Sequence, residues 1–127
     1  MNPMEQVVCG DTVEIVSDII DRITGEAADL SSVLTVVKLR VRKVGDPAIK
    51  GEVVCTKLPG LTKKNGSITV AAPYDLAGFG GRCVGICPVG WFAEAGDYQA
   101  ETTVEYGETD EVLTVYDLLQ VVARARL

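Results

Sequence analysis

The sequence contains no histidine. That absence removes Ser-His-Asp and Cys-His catalysis, imidazole zinc ligation and histidine proton relays together. No apolar run approaches the roughly 20 residues of a membrane-spanning helix. Residues 1–10 show no basic patch followed by an apolar stretch, so no secretory signal is expected. Positive charge is scarce: 12 Lys and Arg stand against 18 Asp and Glu, a net charge of −6. Nucleic acid and an anionic membrane surface are therefore disfavoured as partners. Repeats, low-complexity tracts and Pro-rich linkers are also absent.

What remains is the material of one globular domain. The chain has 127 residues, of which 47% are hydrophobic and 24% charged. Turn-forming residues recur along it, at Gly25, Gly45-Asp46-Pro47, Pro59-Gly60, Asn65-Gly66, Pro73, Gly78 to Gly81, Gly90, Gly96 and Gly107. Between them lie short runs rich in Val, Ile, Thr and Tyr. This punctuation predicts an all-β fold, an antiparallel β-sandwich of about seven or eight strands.

The clearest strand is 33–44, where Val37, Leu39 and Val41 alternate with Lys38, Arg40 and Arg42. Further strands are expected over 51–58, 67–72 and 98–106, the last returning through a 107–110 turn into 111–115. Residues 11–25 are ambiguous. Asp11 and Glu14 could form a capping box for one short helix, but Val13 and Ile15 also suit a strand. The final stretch, 118–127, has the same ambiguity. A strand is expected for both, in keeping with the rest of the chain. The expected organisation is an N-terminal arm over 1–10 and one sandwich domain over 11–127, with a Gly- and Cys-bearing insert at 74–90.

Four cysteines occur, Cys9, Cys55, Cys83 and Cys87. Cys83 and Cys87 would stand about 13 Å apart in an extended strand, beyond disulfide reach unless a turn intervenes. A zinc site usually offers two close cysteine pairs, and only one is present. Free, buried thiols are the default reading, with a Cys83–Cys87 disulfide as the alternative. No cofactor or metal is expected. Redox chemistry at this pair would need an activated thiolate, for which only Arg82 is a neighbouring cation in sequence.

Gly78-Phe79-Gly80-Gly81 lacks the strand and helix context of a phosphate loop. The long segment around it reads instead as a contact loop towards a neighbouring subunit. Lys38, Arg40 and Arg42 on one strand face, together with Arg124 and Arg126 on a strand taken as adjacent, Phe79 and Arg82, are candidate subunit-interface residues. The competing reading of the basic stripe is a solvated face balanced by Glu101 and Glu105. Glu94-Ala95-Gly96-Asp97-Tyr98 suits a tyrosine corner, with Tyr98 bonding back to the chain. No couple of nucleophile and base stands out, and no catalytic residue is expected.

The order of several motifs resembles the small immunoglobulin-like domains of tailed-bacteriophage structural proteins, such as the N-terminal domains of upper-baseplate proteins. The motifs are Asp21-Arg22-Ile23-Thr24-Gly25-Glu26-Ala27-Ala28-Asp29-Leu30-Ser31, Gly66-Ser67-Ile68-Thr69-Val70, Tyr74-Asp75-Leu76-Ala77 and Ala95-Gly96-Asp97-Tyr98-Gln99-Ala100-Glu101, with a final hydrophobic strand ending at Leu127. The insert between Asp75 and Ala95 is longer than the pattern has. The resemblance implies an immunoglobulin-like fold and a non-enzymatic virion component in the tail, baseplate, neck or capsid surface. Its partners would be other virion structural proteins and copies of itself, with no small-molecule ligand. The alternative is a sandwich module that binds a host-surface glycan on Trp91, Phe79 and Tyr74.

Overall fold

The computed structural model describes residues 4–21, 23–107 and 111–125. Arg126, Leu127 and most of the 107–110 turn lie outside them. The described residues form ten strands and no helix. These are β1 (Met4–Val8), β2 (Val13–Asp18), β3 (Thr35–Lys43), β4 (Ile49–Val54), β5 (Thr56–Lys57), β6 (Leu61–Thr62), β7 (Ile68–Thr69), β8 (Arg82–Cys87), β9 (Gly96–Tyr106) and β10 (Glu111–Arg124). The excess over the expected seven or eight comes from the two-residue strands β5, β6 and β7.

Sheet A runs β1-β10-β9-β3-β4 and sheet B runs β2-β8-β5, with β6 and β7 forming a separate small hairpin. All pairings are antiparallel except β1 with β10, which is parallel, so sheet A is mixed. The two sheets face one another in a sandwich-like arrangement. Ser17 of β2 lies over β9, its hydroxyl 3.3 Å from that of Thr102. Val37, Leu39, Val41, Tyr98, Ala100, Val104 and Val121 of sheet A and Val13, Ile15, Cys83 and Cys87 of sheet B form one buried core.

The alternation in β3 explains its place at the centre of this core. Its odd positions are buried against sheet B, and its even positions point outwards. The short helix considered over 11–25 is replaced by β2. Val13 and Ile15 point inwards from it, and it pairs with β8 along its whole length. Ladder partners and two buried side chains at period 2 outweigh the local capping signal.

Several expected boundaries change. Residues 4–8 of the expected arm are β1, paired from Met4↔Gln120 to Val8↔Arg124. The two expected late strands merge into the single β10, with an irregularity in its pairing between Val115 and Leu119. Asn65-Gly66 turns the chain between β6 and β7. The second half of the expected insert is β8, the central strand of sheet B. Lys50 has no partner on β3, because Val41 pairs with Gly51 and Arg42 with Ile49. This β-bulge lies on an outer strand of sheet A.

Candidate functional site

The basic stripe of β3 faces outwards on sheet A, with acids from both neighbouring strands around it. Lys38 donates to the Glu105 carboxylate at 3.1 Å and stands 3.8 Å from Glu52. Arg40 is bonded to Glu52, its cross-strand neighbour on β4. Arg42 donates to the side-chain carbonyl of Gln99 at 3.1 Å. The guanidinium of Arg40 holds the Glu52 carboxyl below the usual carboxylate range. Sequence reasoning named Glu101 and Glu105 as balancing acids but missed Glu52, which pairs with two of the cations. The register that delivers it is set by the bulge at Lys50, which no spacing rule reveals.

The expected adjacency of this stripe to Arg124 does not occur. Arg124 lies on β10, which β9 separates from β3, and its register partner is Val8. Arg126 lies outside the described residues. β9 carries its own polar outer row, Gln99, Glu101, Thr103 and Glu105, and fills the place between the two arginine-bearing strands.

The outer face of sheet B carries an aliphatic strip. Val16 of β2 stands opposite Val84 of β8, and Glu14 stands opposite Ile86. Val16 is 45% exposed and Ile86 50%, with Val84 half-buried between them. This aliphatic strip lies on the sheet surface turned away from the core. Beyond Val16 the strip ends at a half-buried ion pair, where Arg82 donates to the Asp18 carboxylate at 3.3 Å and to the Thr62 hydroxyl at 2.7 Å. Arg82, a sequence candidate for a subunit contact, thus ties sheet B to the β6–β7 hairpin within the chain.

The inner face of β8 shows why its strand character was hard to read. Its inward residues are Cys83, Gly85 and Cys87, all buried and none a strong strand former. A β-carbon on Gly85 would stand 2.6 Å from Leu39 Cδ2 and 3.2 Å from Cys55 Sγ. The close approach of sheet A therefore requires glycine there. None of the four cysteines is in a disulfide. The Cys83 thiol donates to the Ser17 carbonyl at 3.7 Å. Its place beside the Cys55 thiol, together with burial, pushes it far above the ordinary thiol range. A thiol held protonated in the core is a poor nucleophile.

The glycine-rich segment 74–81 is woven into the fold by its backbone. Gly78 accepts from Leu30 N–H at 2.9 Å, Gly81 accepts from Ile19 N–H at 2.8 Å, and Tyr74 accepts from Gly60 N–H at 2.7 Å. A β-carbon on Gly80 would overlap the carbonyl of Gly60. Phe79 is half-buried. The glycines thus allow several chain segments to meet at one end of the sandwich. There they border an open cavity of about 590 Å³ lined by Ile20, Glu26, Ala27, Leu61, Lys63 and Tyr74, among others.

Trp91 lies elsewhere. Its indole covers Gly51 of β4, and it follows the C-terminal end of β8, whereas Tyr74 lies beside the start of that strand. Six residues of β8 separate them, a run of about 17 Å at 3.3–3.4 Å per residue. The three aromatic residues considered as a glycan platform are not gathered on one surface.

Tyr98 is fully buried, in edge-to-face contact with Phe92 at a centroid distance of 4.9 Å. Its hydroxyl donates to the Glu94 carbonyl at 2.7 Å. Among the described residues no group of three or more His, Cys, Asp or Glu side chains is placed to hold a metal ion. No protein-family model matches the chain, and no curated protein matches it in sequence.

Proposed function

We propose that this chain is a non-enzymatic structural component that acts through protein–protein contacts, with an immunoglobulin-like sandwich as its scaffold. By the sequence resemblance, the assembly is a tailed-phage virion, with the chain in its tail, baseplate, neck or capsid surface. The partners are copies of itself and other virion structural proteins.

The observation that carries the assembly reading is the aliphatic strip on the outer face of sheet B, where no ion pair intervenes among its members; sheet A exposes Ile49, Val54 and Val112 on its own outer face, but set among charged side chains. On sheet A the cations of β3 are matched by Glu52, Glu105 and Gln99 within the same chain. On sheet B the strip of Val16, Val84 and Ile86 is aliphatic and partly open to solvent. Covering such a strip removes apolar surface from water at roughly 25 cal/mol per Å², and apolar surface rimmed by polar groups marks interaction sites. The contact surface is accordingly on sheet B, not on the basic stripe. The immunoglobulin-like part of the reading draws support from Tyr98, whose bond back to Glu94 is the bond a tyrosine corner makes.

The test is quantitative mass spectrometry of purified particles. Stoichiometric copies are expected in the wild-type particle, and incorporation should fall at least tenfold for Val16→Glu/Ile86→Glu, with its melting temperature close to wild type. A particle that lacks the wild-type protein overturns the virion reading. Undiminished incorporation of the double variant overturns the sheet B surface.

A further inference from the structure

We propose that β1 is an exchangeable strand: in the assembled state, Met4–Val8 of one copy pairs in parallel with Gln120–Arg124 of a second copy. The proposal rests on the assembly reading above and names one of its contacts, in which the partner is a second copy of this chain.

The seat and its occupant are both present in the chain. β1 pairs with β10 alone, from Met4↔Gln120 to Val8↔Arg124, and it forms the outer edge of sheet A. The ladder continues one step further, where Cys9 N–H donates to the Arg124 carbonyl at 2.8 Å. Main-chain hydrogen bonds of this kind are blind to which copy supplies the acceptor strand. No residue of the register stands opposite a like charge, and that too holds equally between copies.

Within β1, Val7 packs against the core of its own copy, and it is the one described side chain of the strand that does. Gln6 is exposed, and Val7 and Val8 are only half-buried. A cleft of about 420 Å³ lies between β1 and the corner that leads into β2, lined by Val7, Val8, Asp11, Glu14 and Arg124, among others.

The connection to β2 suits a hinge. Residues 9–12 turn the chain from sheet A to sheet B, with Gly10 at φ +85° and Asp11 N–H donating to the Val8 carbonyl at 3.1 Å. Straightening this short turn would let its four residues span about 14 Å at up to about 3.6 Å each. An edge strand on a short hinge is a usual object of exchange between identical copies. Within an assembly the high local concentration of neighbouring β10 strands favours the intermolecular pairing.

The experiment uses Gln6→Cys and Val122→Cys, register partners on the outer side of sheet A, both in a Cys9→Ser background. The two single variants are refolded together, oxidised with copper phenanthroline and run by non-reducing electrophoresis, with the mass of the native protein read by light scattering. Exchange predicts a covalent dimer, at twice the chain mass, from the mixed single variants. If the double variant closes its disulfide within one chain and the mixed singles stay unlinked, while light scattering still reads an oligomer, exchange fails and the assembly reading stands. A monomer in light scattering together with an intrachain disulfide overturns exchange and counts against self-assembly. No disulfide in any variant overturns the β1–β10 register itself.

Discussion

The Cys55 sulfur occupies the space above Gly85, 3.2 Å from where a β-carbon on that residue would stand. Leu39 fills the rest of that space, so three residues from β3, β8 and the β4–β5 junction share one small volume between the sheets. Gly85→Ala is expected to destabilise the fold by about 1–3 kcal/mol, the usual cost of overpacking a filled core. Shortening the neighbour should relieve it. In a double-mutant cycle, Gly85→Ala with Leu39→Val should cost less than the sum of the two single changes. Urea midpoints of the four proteins check this, and simple additivity would contradict the packing described.

Tyr98→Phe keeps the edge-to-face contact with Phe92 and removes the donor to Glu94. The expected loss is about 1 kcal/mol, the net worth of one hydrogen bond, read as a lower urea midpoint at neutral pH. The alkaline limb gives a second readout. Burial pushes the Tyr98 phenol above its ordinary value. The folded state therefore holds this proton more tightly than the unfolded state. Stability from this group is complete below about pH 10, the ordinary phenol value, and declines as the pH rises through the raised folded value. Tyr98→Phe should show a shallower loss of stability than wild type over that range.

Arg82 joins three elements, and its removal should be felt locally first. Arg82→Ala breaks the bonds to Asp18 and Thr62, and a loss of about 1–2 kcal/mol is expected for half-buried bonds involving charge. Amide exchange distinguishes the site of the effect. Lys63 N–H, bonded to the Ser67 carbonyl at 2.8 Å within the β6–β7 hairpin, should lose more protection than amides of β3. Equal loss across both elements would show that the arginine does not anchor the hairpin.

The acid limb of stability should depend on Glu52. Its carboxyl is held low chiefly by the hydrogen bond from Arg40. The unfolded state binds this proton more readily, so the contribution is present above the ordinary carboxylate value and is lost as the pH falls through the lowered one. Glu52→Gln should flatten the acid limb below about pH 4.3, the ordinary Glu value. Because the pair is solvent-exposed, raising the salt concentration should flatten the wild-type limb as well. Thermal melts from pH 2 to pH 6 at two ionic strengths read both effects.

The legibility of this fold follows from how each strand is covered. β3 and β9 have one face in the core and one in water, so their residues alternate and their extents are nearly readable from sequence. β8 has core contacts too, but its inward positions are small, and a Cys-Gly-Cys row carries none of the usual strand signal. Its sequence reads as a loop because the space is filled from the opposite sheet by Leu39 and Cys55. β1 is held by main-chain bonds to a strand at the far end of the chain, and nothing within ten residues of it announces a parallel partner. The surroundings of the basic stripe were hidden for a related reason. Lysine and arginine at period 2 say that a face is wet, but which acids reach it depends on strand order and on the bulge opposite. Val16, Val84 and Ile86 gave no sign in sequence of which face they take, and the sheet B register places them on its outer side.

The bulge at Lys50 puts the pleat of β4 out of step with any straight strand laid beside it. Sheet A can therefore be extended past β1 but is stopped at β4, which gives the molecule a finished side and an unfinished one. Any further strand added to sheet A would join it at one edge only.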